Sequence, residues 1–168
     1  TAPIHGFDGG EYNLKRASGT LGVALREYKE GAGFTIPPTP SQEYFFLSFP
    51  RIVPSQGYSV QTPVKWNVRP GMAPIRWTIS PYVKTLAKDP FYGRYDLAGA
   101  IKRGVENWNS VFGFKVFEAV VGADSADPGD DVTNYIYADV NPAVGFAFAD
   151  WRTNPNTGEI RGASVYWN

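Results

Sequence analysis

Apolar and polar positions alternate along residues 74–80 (Pro-Ile-Arg-Trp-Thr-Ile-Ser), the period-two pattern of a strand with one face on a core, and Pro81 ends it. The period then changes. Leu97, Ile101, Val105, Trp108 and Phe112 fall four, four, three and four residues apart, which places all five on one stripe of a helix. Asp96 precedes the stripe as a natural N-cap, because its carboxylate can accept from free first-turn amides. Gly113 follows as a natural stop, since it tolerates the left-handed turn after a helix. The spacing therefore predicts a helix over about 96–112. Residues 115–121 alternate again, 122–131 form an acidic loop, and 132–140 and 146–152 read as strands. Asn154-Pro155-Asn156-Thr157-Gly158 is a tight-turn sequence, so 146–152 and 159–168 should form a hairpin. Strand, helix, strand, strand and hairpin in that order predict an α+β fold. We expect a mixed, mostly antiparallel sheet with one long helix packed on it.

The first 70 residues carry a different pattern. Glycines punctuate residues 1–35 and interrupt the helical candidate at 21–30. Pro37-Pro38-Thr39-Pro40 is a stiff polyproline-like break, and the apolar run at 43–49 reads as a buried strand closed by Pro50. Residues 59–68 are extended, with Pro63 marking an edge or a bend. The chain thus divides into 1–70, an extended, irregular or β-rich segment suited to a pro-region or a cover, and 71–168, where the sheet and helix lie.

Composition narrows the chemistry. With 168 residues the chain is long enough for one core. It has no cysteine, which leaves no disulfide and no thiolate metal site, and its single histidine, His5, stands beside a terminus, from which neither a Ser/His/Asp triad nor a histidine-rich zinc site is readily assembled. Sixteen basic residues balance sixteen acidic ones, which gives no support to a nucleic-acid partner or a charged membrane surface. No apolar run in these 168 residues approaches the ~20 of a transmembrane helix, and none of them shows the basic start and apolar centre of a signal peptide. Five Trp, 10 Tyr and 11 Phe require a folded chain, and 18 Gly with 14 Pro require many turns. Such an aromatic-rich composition without cysteine fits secreted or cell-envelope proteins of bacteria.

Few side chains form a recognisable catalytic pattern. Asp124, Asp127, Asp130 and Asp131 offer oxygen ligands for calcium, but their spacing lacks the alternate donors and closing Glu of an EF-hand, which favours a solvated acidic turn. Asp150 and Glu159 flank the hairpin turn and would face each other as an acid/base pair only in one register. Ser80 and Lys84 stand four apart, but Pro81 breaks the helix that would align them. No phosphate loop or dinucleotide glycine motif opens a helix. Trp66, Trp77, Trp151, Tyr166 and Trp167 lie in strands, as core residues or as a platform for sugar rings or unstacked bases. Asn107 and Asn109 flank Trp108 as surface or capping groups.

Four phrases in sequence carry a family resemblance: Ile-Arg-Trp-Thr-Ile-Ser at 75–80, Ala-Ile-Lys-Arg-Gly-Val-Glu-Asn-Trp-Asn at 100–109, Phe-Ala-Phe-Ala-Asp at 146–150 and Asn-Pro-Asn-Thr-Gly-Glu-Ile at 154–160. Together they resemble the N-terminal half of metzincin-like zinc metallopeptidase domains, in particular a secreted bacterial group with an Asp-Pro-Arg-Thr-Gly-Glu-Ile turn before the active-site helix. This chain has Asn154 and Asn156 where that turn has Asp and Arg, and Gly104 where Ala is usual.

The resemblance implies a sheet covered by two helices, a substrate cleft lined by an outer strand, and zinc held by His-Glu-x-x-His on a helix beyond Asn168. It assigns no catalytic residue and no metal ligand to the 168 residues, so no zinc is expected on this chain. It places the substrate-lining strand within 162–168, with backbone groups of Gly162, Ala163, Ser164, Val165 and Tyr166 pairing to an extended peptide. Only one of the two helices is present, so a sheet face should be bare unless the rest of the protein, another chain or residues 1–70 cover it. The expectation is the N-terminal portion of a secreted zinc metallopeptidase-like protein, inactive alone. The alternatives are a non-catalytic module that self-associates or captures a partner through sheet edges, and a carbohydrate-binding module.

Overall fold

The computed structural model describes residues 31–38, 50–53, 55–123, 133–140 and 145–168 in full, and the backbone of two short strands before them. Those two, β1 (Ile4–Asp8) and β2 (Glu11–Lys15), pair antiparallel. β3 (Arg51–Ile52) and β4 (Ser59–Val60) form a second small antiparallel pair. The helical candidate at 21–30, the apolar run at 43–49 and the four aspartates of the acidic loop lie outside the described residues.

The remaining elements follow the predicted order. β5 (Ile75–Ile79) leads through the short α1 (Val83–Leu86) and a 3-10 turn at Tyr92–Arg94 into α2 (Leu97–Glu106) and α3 (Asn109–Phe112). Asn107 and Trp108 keep helical dihedrals, so α2 and α3 form one nearly continuous rod. Asp96 caps it as expected, its Oδ1 accepting the Gly99 N–H at 2.9 Å. Gly113 ends it at φ 72°, donating its N–H to the Asn109 carbonyl. β6 (Phe117–Val121), β7 (Asn134–Ala138), β8 (Phe148–Thr153) and β9 (Ile160–Trp167) complete the domain.

The fold is α+β, with a mixed five-stranded sheet in the order β6-β5-β7-β9-β8 and the helical rod packed on it. The expected majority of antiparallel pairings is corrected. β5–β6, β5–β7 and β7–β9 are parallel, and only β8–β9 is antiparallel. Alternation along a strand reports that one face is covered and carries no information on the direction of the neighbour. The antiparallel pair is the one whose turn was legible. Gly158 adopts φ 77° there and donates to the Asn154 carbonyl at 2.7 Å.

The core sits under β5 and β7. Ile79, Val83, Leu86, Ala119, Ile136 and Ala138 are buried together, with Ile79 and Ile136 in register on adjacent strands. Three polar side chains connect the layers. Asn134 donates to the Arg76 carbonyl and accepts the Ala163 N–H, both at 2.9 Å, so it ties β7 to both its neighbours. Asn109 accepts the Val116 and Phe117 N–H groups at 2.8 Å and donates to the Phe117 carbonyl, fixing the rod to the start of β6. Glu106 accepts the Ala119 N–H at 3.1 Å and pairs with Lys102 one helical turn away.

Candidate functional site: an open apolar groove

The apolar stripe of the rod is longer than the sheet surface available to cover it. Leu97, Ile101 and Val105 are half-buried, whereas Trp108 remains 59% exposed and Phe112 39%. Burying a large apolar side chain contributes about 1.5–3 kcal/mol, so each exposed ring forgoes much of that. Between the stripe and the sheet lies an open groove of about 770 Å³.

Its helical wall is built from Ile101, Val105, Trp108 and Phe112, with the small Ala100 and Gly104 between them. A Cβ added at Gly104 would meet nothing within 4 Å, so the groove is open at that point. The sheet side presents Trp77, Phe117, Ile136, Val165 and Trp167. Register places them together, since Ile136 pairs with Val165 and strand alternation puts Trp77 and Ile79 on one face. Trp66 closes one end, meeting Trp77 and Phe117 edge to face at 6.2 and 6.4 Å. No titratable side chain lines the groove, so its chemistry is that of an apolar surface and it offers no acid, base or nucleophile.

Titratable groups cluster behind and beside it. The Glu106 carboxyl is held below the usual glutamate range by its hydrogen bond from Lys102 and then by the Ala119 amide. Glu118 is lowered likewise by Arg76 and Lys115. On the opposite sheet face Tyr166 donates its hydroxyl to Asp139, which holds the phenol above its usual range. Its ring stacks on Phe148 at 5.1 Å.

The residues expected to line a substrate occupy a different place from the one their role requires. Gly162, Ala163, Ser164, Val165 and Tyr166 lie in β9, each paired with β8, and the last three are paired with β7 as well. An extended peptide needs a free edge, and among the described residues the edge strands are β6 and β8. The hairpin turn was read correctly, but β9 inserts beside β7 and leaves β8 outermost. That order depends on contacts far apart in sequence.

Other candidates separate. Asp150 stands opposite Ser164, so the register does not set it against Glu159. Glu159 is buried, 4% exposed, and accepts the Gly31 N–H at 3.0 Å and the Asn67 amide at 3.2 Å. Ser80 Oγ accepts the Tyr82 N–H, and Lys84 Nζ donates to the Gly122 carbonyl, so the two serve local structure. Trp66, Trp77 and Trp167 form groove walls, and Trp151 is half-buried. Asn107 is exposed, whereas Asn109 proves to be a structural tie.

Sequence reasoning expected a bare sheet face but not a groove walled by the far end of the rod's own stripe. The available signal was the two aromatic residues at the far end of the stripe, Trp108 and Phe112, more apolar surface than one short sheet edge can bury. Among the described residues, no group of three or more His, Cys, Asp or Glu is placed to hold a metal ion. No described helix is long and apolar enough to cross a membrane. No protein family model, no curated protein and no solved structure matches this chain.

Proposed function

We propose that these 168 residues are the N-terminal portion of a secreted or envelope-associated zinc metallopeptidase-like domain, completed by a second helix that lies in the groove. The observation that carries this is the groove, an apolar channel alongside an existing helix. Helices pack with axes about 8–10 Å apart, and small residues permit the nearer approach. Ala100 and Gly104 supply them on the groove side of the rod. The four sequence phrases of the metallopeptidase resemblance add the identity of the missing piece, a helix carrying His-Glu-x-x-His. In this proposal the peptide substrate lies along the outer strand, which is β8, and the lining role passes from 162–166 to residues 148–153.

The sequence has one histidine and no cysteine, and among the described residues no group of three or more His, Cys, Asp or Glu is placed to hold a metal ion. No catalytic step is therefore assigned to them. They contribute the sheet, its edge and one wall of the core.

Reading the encoding gene past Asn168 tests the proposal. His-Glu-x-x-His is expected within the next few dozen residues, and the lengthened protein should bind one zinc and cleave peptides until a chelator removes the metal. A reading frame without that motif overturns the proposal. A stop codon at that point, with concentration-dependent dimers in sedimentation, would instead favour a module that buries its groove against a second copy.

A further inference from the structure

A second feature is independent of the peptidase proposal and concerns the end of the groove closed by Trp66. This residue sits between two contacts made by its sequence neighbours to the hairpin turn. On one side, the Lys65 N–H donates to the Gly158 carbonyl at 3.1 Å and its own carbonyl accepts the Ile160 N–H at 2.9 Å. On the other, the Asn67 amide donates to Glu159 Oε1 at 3.2 Å. The second oxygen of the same carboxylate accepts the Gly31 N–H at 3.0 Å, with Arg161 Nη1 at 3.7 Å. Asn67 and Arg69 also donate to the Ala32 carbonyl, which joins the two distant stretches to each other. One buried carboxylate therefore holds residues 31–32 and residue 67 to the body at once.

We propose that Glu159 is a positioning residue that clasps the 31–34 and 65–69 stretches onto the hairpin turn and thereby sets Trp66 as the movable end wall of the groove. The physical basis is that a charge-assisted hydrogen bond is roughly twice as strong as a neutral one, so the shared carboxylate dominates this junction. Local opening is governed by such few contacts and leaves the buried core intact. Releasing the clasp would free Trp66 from Trp77 and lengthen the groove toward the turn, while β5 and β7 stay paired.

Two variants of the full 168-residue chain reach the clasp from opposite sides. Glu159→Gln removes the charge and one acceptor. Gly31→Ala leaves the charge but introduces a Cβ 1.9 Å from Glu159 Oε1, which forces the carboxylate aside. In both, we expect hydrogen exchange at residue 31, Lys65 and Ile160 to rise roughly tenfold or more, as loss of a charged hydrogen bond implies. The exciton signal of the Trp66–Trp77 pair in circular dichroism should fall in both, while amide exchange in β5 and β7 stays at the parent rate. Trp66→Phe should abolish the exciton signal without changing exchange at residue 31. An undiminished exciton signal in either clasp variant, or an equal rise in exchange across β5 and β7, overturns the proposal, since the latter would mean only general destabilisation.

Discussion

Trp66 meets Trp77 edge to face, with ring centroids 6.2 Å apart and planes inclined at 67°. Trp77 belongs to a central strand, while Trp66 belongs to the stretch before the sheet, so this contact joins the two regions of the chain. The Lys65 N–H, donating to the Gly158 carbonyl, and the Ile160 N–H, donating to the Lys65 carbonyl, cross the same junction. The groove begins at this pair and runs along the helical rod, which makes its walls a mixture of early and late residues.

Core and groove should respond differently to truncation. Ile79 is 1% exposed and packs in the central cluster. Ile79→Ala should therefore cost about 2–5 kcal/mol in urea unfolding. Trp108→Gln in the same chain should cost less, about 1 kcal/mol, because Trp108 is already 59% exposed. Equal losses would show that the groove is filled.

Asn134 is buried and serves two backbone groups on two strands. Asn134→Ala should leave the Arg76 carbonyl and the Ala163 N–H without these partners, at about 1–3 kcal/mol for each buried group. Urea midpoints at constant slope are the measurement. A loss below about 0.5 kcal/mol contradicts the bridging role.

Gly158 needs its glycine for two reasons. Its φ of 77° disfavours any Cβ, and an added Cβ would stand 2.3 Å from the Pro63 carbonyl oxygen. Gly158→Ala should lower stability by about 1–3 kcal/mol and raise exchange at the Lys65 amide. An unchanged melting temperature would be the contrary result.

Acid should weaken the contact between rod and sheet. Glu106 is held below its ordinary value of 4.5, chiefly by Lys102 and then by the Ala119 amide. A lowered folded-state value means that its stabilising contribution is fully present above pH 4.5 and is lost as pH falls through that lower value. Melting temperatures at pH 7 and pH 3 should differ less for Glu106→Gln than for the parent, since the variant has lost this titration. Asp96 and Glu118 are lowered too, so the variant should keep part of the acid sensitivity. Identical pH profiles would remove the assignment.

The elements themselves were readable because their causes are local. An Asp before a four-four-three-four stripe caps a helix by reaching amides one turn away, and the Gly99 contact bears this out. A glycine at positive φ closes the hairpin for an equally short-range reason. Asn109 shows the limit, since nothing near it in sequence indicates that its side chain will meet Val116 and Phe117. Its neighbour Asn107, identical in type, is exposed.

The order of residues alone determined the sequence of β5, the rod and β6 to β9 and the two ends of the rod, since hydrophobic period, capping and turn geometry act over a few residues. Tertiary structure alone decided that β9 runs inside the sheet with β8 at its edge, that most neighbours are parallel, and that Trp108 faces an open groove. Strand pairing and burial depend on which distant segments arrive on either side, and no local pattern encodes that arrival.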